Sequence, residues 1–113
     1  MGLTPPWLES AGQFEVIDGN YELMPGIKLV LLPGHTPGMQ GVLVETNSHN
    51  YLIASDVIPY YENWEERKYG LPLVSDVNTN LTDFYESLKR VVEISDYILP
   101  GHDFKVLDKK VYV

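Results

Sequence analysis

Apolar positions along the chain fall into short runs punctuated by Gly, Pro and Asn, with one longer stretch at helical spacing. Phe14-Glu15-Val16-Ile17-Asp18 reads as a strand, Gly19-Asn20 as a turn and Tyr21-Glu22-Leu23-Met24 as the return of a hairpin. After Pro25-Gly26, Ile27-Lys28-Leu29-Val30-Leu31-Leu32 is an almost continuous β-prone run, the pattern of a strand buried on both faces. Gly41–Thr46 and Tyr51–Ser55 predict two further strands, joined as a hairpin through Asn47-Ser48-His49-Asn50. Asp56–Thr79 has no clean period and carries Tyr60, Tyr61, Trp64 and Tyr69. A connection of that length inside a compact domain is functional or contains a short helix.

Asn80 then opens a helix, because its side chain can cap free amides and Asp83 suits the positive end of the dipole. Phe84, Leu88, Val91 and Val92 fall on one stripe of it. Tyr97-Ile98-Leu99 predicts a strand ending at Pro100-Gly101, and Phe104–Leu107 or Lys110–Val113 a last one. Strands, one helix and strands again make an α+β, or layered α/β, architecture.

With 113 residues, 44% apolar and 21% charged, the chain is an ordinary globular composition and a single domain over 1–113. Only Trp7 and Leu8 give order signals near the start, so residues 1–12 are expected to be flexible. The formal charge of −8 repels phosphate backbones and argues against nucleic-acid binding. No apolar run is long enough to span a membrane, and Met1-Gly2-Leu3-Thr4 lacks a secretory pattern, so a cytoplasmic location is expected. Cysteine is absent, which removes disulfides, thiolate metal sites and Cys nucleophiles. No G-x-S-x-G elbow, phosphate loop or H-E-x-x-H helix is present either. Any metal site must use carboxylates and the three histidines.

Two of those histidines share a design. Leu32-Pro33-Gly34-His35 and Leu99-Pro100-Gly101-His102 each run an apolar strand into Pro-Gly and deliver one imidazole at its tip. Taken singly, such a residue is a metal ligand with fixed aim or a turn histidine in water. Asp103 either orients the His102 ring or faces solvent. Asp56 directly follows the apolar strand Tyr51–Ser55, where an acid often caps a turn but can also bridge two divalent ions. Two imidazoles and a carboxylate on separate strand ends are what a metal-assisted hydrolase gathers. His49, at a polar hairpin tip, is read as solvated.

Pro33-Gly34-His35-Thr36-Pro37-Gly38, then Ser55-Asp56, then Pro100-Gly101-His102-Asp103, in this order and spacing, resembles the metallo-β-lactamase superfamily. The likeness is greatest to its N-acyl-homoserine lactonase branch, where an "IDG-Y-E-PG" segment also precedes the first histidine and a Tyr-rich loop follows the aspartate. The resemblance runs from about Gln13 to Lys105 and implies half of an αββα sandwich. It implies two zinc ions, or mixed zinc and iron, with His35 on the first metal, His102 on the second and Asp56 bridging them. A metal-activated hydroxide would attack a lactone or ester carbonyl, and Tyr60, rather than Tyr61, would polarise it. Met39 stands where the family commonly has His, a position outside the metal ligands.

The family's H-x-H-x-D-H segment is absent, so the chain looks like the C-terminal half and lacks part of the ligand set. Half a sandwich exposes an apolar sheet face, which a homodimer or a complementary N-terminal half would cover. Two other readings stand beside the hydrolase. One is a non-enzymatic remnant or assembly module with vestigial ligands. The other is a glyoxalase-II-like thioesterase, against which Ser55-Asp56-Val57-Ile58 replaces the Gly-Asp-x-Leu-Phe expected there.

Overall fold

The computed structural model describes residues 4–113, so the reading of Met1-Gly2-Leu3 lies outside the described residues. A 3-10 helix over Pro6–Gln13 leads into a five-stranded sheet in the order β1-β2-β3-β4-β5. The strands are β1 (Tyr21–Met24), β2 (Ile27–Leu31), β3 (Gln40–Glu45), β4 (Asn50–Ser55) and β5 (Tyr97–Pro100). Neighbours from β1 to β4 are antiparallel, and β5 joins β4 in parallel. A parallel pair needs a crossover, which here holds α1 (Tyr61–Glu65), a 3-10 turn (Glu66–Tyr69) and α2 (Leu81–Ile94). The short helix expected between Asp56 and Thr79 is thus present. Five strands with α1 and α2 gathered on the crossover make the α+β architecture expected from the sequence.

Strand alternation assigns the faces. Val30, Leu43, Leu52, Ala54 and Ile98 share one face in register and form the core with Phe84, Leu88 and Val91 of α2. The Asn80 carboxamide accepts the Asp83 N–H at 3.0 Å, the cap expected from the sequence. The other face carries Leu29, Val42, Val44, Tyr51, Ile53 and Tyr97. Ile53 and Tyr97 are 43% and 48% exposed there, Leu29, Val42 and Val44 are half-buried and Tyr51 is buried, so that face is apolar and only partly covered.

Several sequence expectations are corrected. Phe14–Asp18 is not a strand; Tyr21–Met24 pairs instead with Ile27–Leu31. The tight Pro25-Gly26 turn, with Gly26 at φ +85°, closes that hairpin locally and leaves 14–18 without a ladder partner. β2 is buried on one face only, at Val30, because α2 covers a single side of the sheet. Val92 is turned outward, and Ser87 takes its place among the buried residues of α2. Neither segment offered as a last strand is one: Phe104–Asp108 is a 3-10 turn capped by Asp103, and 109–113 has no regular structure. Residues 104–107 therefore curl away instead of extending the sheet beside β5.

Candidate metal-type site at the strand ends

β2, β4 and β5 run in one direction, since β3 is antiparallel to both β2 and β4, and β5 is parallel to β4. Their carboxyl ends emerge at one edge, where open α/β sheets form their clefts. His35, Asp56 and His102 each follow one of those ends.

The His35 arm has farthest to travel, because β2 and β4 are separated by β3, about 10 Å at ordinary strand spacing. Leu32 is fully buried and its N–H donates to the Met39 carbonyl at 2.8 Å. Gly34 sits at φ +134°, and a Cβ there would lie 2.4 Å from Phe84 Cα, so the arm lies directly on α2. The Gly34 carbonyl accepts the N–H groups of Thr79 and Asn80 at 2.7 and 3.1 Å. The His35 ring then meets the Val77 carbonyl through Nδ1 at 2.7 Å. A carbonyl can only accept, so Nδ1 carries the proton, and Nε2 is turned to Asp56 Oδ2 at 3.4 Å.

Asp56 follows Ser55, a non-glycine residue at φ +51° that turns the chain sharply at the end of β4. Buried Val57 and Ile58 anchor the next residues. The His102 arm is stitched to them: Gly101 N–H donates to the Ile58 carbonyl at 3.2 Å and His102 N–H to the Pro59 carbonyl at 2.9 Å. A Cβ on Gly101 would lie 2.5 Å from the Ser55 carbonyl oxygen, which is why glycine fits there. His102 Nε2 reaches Asp56 Oδ1 at 2.5 Å, a charge-assisted contact.

His35, Asp56, His102 and Tyr60 line one cavity of about 500 Å³, closed on its far side by Leu73–Val77. Asn63 fixes that wall, donating from Nδ2 to the Leu73 carbonyl at 3.1 Å and accepting the Leu73 N–H at 2.8 Å. The structure therefore brings together the two strand-tip histidines, the aspartate and Tyr60. Tyr61 is turned away into a separate hollow with Tyr51, Tyr97 and Tyr112. Partial burial, then the neighbouring Tyr112 side chain, push its hydroxyl up to about 12.

Two neighbouring expectations are corrected. Asp103 does not orient the His102 ring; its oxygens accept the N–H groups of Tyr61 and Lys105, each at 3.0 Å. Those bonds hold its carboxyl below the usual carboxylate range. His49 is not simply solvated. The Thr46–His49 turn folds its ring edge-on to Tyr97, with centroids 5.0 Å apart, over the stacked Tyr51–Tyr97 pair.

Whether a metal pair suits these residues can be tested on the donors themselves. Imidazole nitrogen and carboxylate oxygen are the right kinds, and each imidazole addresses a different oxygen of one carboxylate. Such a set has the donor types of a shared carboxylate, although the 2.5 Å contact of His102 is a direct hydrogen bond that would have to open to admit an ion. The number is short: each ion would receive one histidine and one oxygen of the shared carboxylate, where a catalytic zinc takes about three protein ligands. Accordingly, no group of three such side chains among the described residues is disposed to hold an ion by itself. The donors fit in kind and are incomplete in count.

Sequence reasoning did not find the Val77 carbonyl, which any residue type supplies. Nor did it find Ser87, whose only signal was a hydroxyl inside an apolar helical stripe.

No family model matches the chain. Over 98 residues it is 39% identical to the N-acyl homoserine lactonase of Bacillus thuringiensis, and over 94 residues it is 31% identical to that of Bacillus cereus. Each match covers 81% of this chain and 36% of the relative, so the chain spans about a third of the length of the curated relatives it matches. A solved N-acyl homoserine lactone hydrolase, with N-hexanoyl-L-homoserine bound at its catalytic metal centre, superposes with a TM-score of 0.64 at 30% identity. That superposition covers 88% of this chain and 39% of the other. A probable metal-dependent hydrolase from Staphylococcus aureus shares the fold, with a TM-score of 0.66 at 17% identity, covering 82% of this chain and 33% of the other.

Proposed function

From a chain that is a partial-length relative of the N-acyl homoserine lactonases of the metallo-β-lactamase superfamily, we propose a contribution to metal-dependent hydrolysis of a small lactone or ester. One observation carries the reading: three co-directional strands deliver two imidazoles to opposite oxygens of one carboxylate, inside a single cavity. His35 would hold one ion and His102 the other, with Asp56 shared between them. Zinc, or zinc with iron, suits such donors. When bound, the ions acidify a water and polarise the substrate carbonyl.

The chain's own groups do the rest. Val77 keeps the proton of His35 on Nδ1, so Nε2 stays available as a donor. Asp56 holds the exposed His102 ring in place. Tyr60, about half exposed on the cavity wall, would donate its O–H to the oxygen on which charge develops. The Leu73–Val77 wall shields one side of the cavity from water.

The shortage of donors calls for a second contributor, and the partly covered apolar sheet face is where one would pack. A second copy of the chain or a complementary segment bearing H-x-H-x-D-H would serve.

Zinc titration of the purified chain tests the reading, followed by opening of N-hexanoyl homoserine lactone with and without such a segment. We expect zinc binding that His35→Ala and His102→Ala abolish, and lactone opening that rises when the segment is supplied. Zinc content and stability unchanged in both variants would leave a remnant with vestigial ligands.

A further inference from the structure

Aromatic side chains aside, the described residues contain one buried polar side chain, Ser87, at 4% exposure. It lies in the apolar stripe of α2 beside Phe84, Leu88 and Val91. Serine is a mediocre helix former and costs desolvation in a core, so packing alone would favour alanine there. Its hydroxyl has a definite use: it donates to the Pro33 carbonyl at 2.6 Å. Pro33 belongs to the arm that carries His35.

The neighbouring contacts act on the next peptide of the same arm, Gly34–His35. The carbonyl of Gly34 takes the Thr79 hydroxyl at 3.2 Å besides the two backbone N–H groups. The missing Cβ of Gly34 lets the arm lie against Phe84. Val77, the acceptor for His35 Nδ1, lies just ahead of Thr79 and Asn80 in the approach to α2. Ser87, Thr79, Asn80 and Val77 thus belong to one continuous segment leading into and along α2. If the Pro33–Gly34 peptide rotates away from it, the ring leaves the Val77 carbonyl and Nε2 loses its aim at Asp56.

We propose that Ser87 is a positioning residue for His35, holding the Pro33–Gly34 peptide on α2 so that the imidazole keeps one tautomer and one direction. What the imidazole serves rests on the hydrolase reading above; the geometric role does not.

The test is nitrogen NMR of the His35 ring in the metal-free chain, with zinc affinity measured alongside, for Ser87→Ala and Ser95→Ala. Ser95 is the internal control, because its hydroxyl donates to the Val91 carbonyl at the far end of the same helix. Wild type should show a single ring species in which Nδ1 is protonated and bonded to the Val77 carbonyl, whatever the state of Nε2. Ser87→Ala should give averaged tautomers and about a tenfold loss of zinc affinity, the scale expected when a ligand's support is removed. Ser95→Ala should change neither. A Ser87→Ala protein that melts earlier, yet keeps the wild-type ring signals, would make Ser87 merely structural and overturn the proposal. Should that variant not fold, Ser87→Cys retains the volume with a weaker donor. A partial shift toward averaged tautomers supports the role, and an unshifted ring overturns it. Absence of zinc binding in wild type would count against the hydrolase reading, while the ring signals would still decide on Ser87.

Discussion

The two imidazoles reach one carboxylate by different means. His35 comes from a strand two places away, with its side chain 19% exposed, and is held from outside by α2 and the segment before it. His102 comes from the strand adjacent to that of Asp56, with its side chain 60% exposed. Its backbone is stitched to Ile58 and Pro59, while its ring is held by Asp56. Distance from the meeting point explains the difference. An arm that must cross a strand needs anchors along its length, whereas one that ends beside its target needs only its strand. The first ring is preset, and the second depends on its partner.

The largest effects should come from filling the glycine contacts that let each arm approach. Gly34→Ala places a Cβ 2.4 Å from helix backbone in a conformation that L residues rarely adopt. Strain and overpacking together make a loss of about 4 kcal/mol. Gly101→Ala meets the Ser55 carbonyl at 2.5 Å without the unfavourable φ, and should cost about 2 kcal/mol. Urea unfolding of both variants measures the ratio. Equal losses would remove the distinction between a clamped and a stitched arm.

Asp56→Asn sharpens the contrast between the rings themselves. The stability cost should be only about 1 kcal/mol, since the partners are partly exposed. The dynamic consequence should be one-sided: ring relaxation in NMR should show His102 released and His35 unchanged on the Val77 carbonyl. Equal loosening of both would mean that Asp56, not α2, holds His35. Asn80→Ala removes the α2 cap and should cost about 1 kcal/mol. That is about 5 °C in melting temperature for a domain of this size.

The same contrast governs what could be read from the residues alone. The strand-Pro-Gly-His repeats and the aspartate after β4 were legible because a strand end fixes direction locally, and three co-directional strands share an edge. The Asn80 cap was legible for the same reason. The anchors of His35 were not, because a backbone carbonyl at Val77 leaves no trace in residue type, and Ser87 shows only as an exception to an apolar stripe. Phe14–Asp18 and Phe104–Leu107 have strand-like composition but no ladder. Pairing is decided by which segment closes the tighter turn or finds an open edge, and composition does not encode that.

The mildest test concerns the flank of the His102 arm. Tyr61 N–H donates to Asp103, and partial burial, the largest cause, pushes the Tyr61 hydroxyl up from 10 to about 12. A folded-state value above the unfolded one means that the folded chain holds the proton more tightly. The resulting stability is complete below pH 10 and is lost as pH rises toward 12. Tyr61→Phe should remove that slope while changing stability at pH 7 by less than about 0.5 kcal/mol. Subtracting the variant's stability curve from the wild type's isolates this tyrosine from the other seven. A difference that stays flat between pH 10 and 12 would show that the hydroxyl is open to water. In that event the His102 flank is held by the backbone bonds of Asp103 alone, and this arm is looser than the aromatic packing around Tyr61 implies.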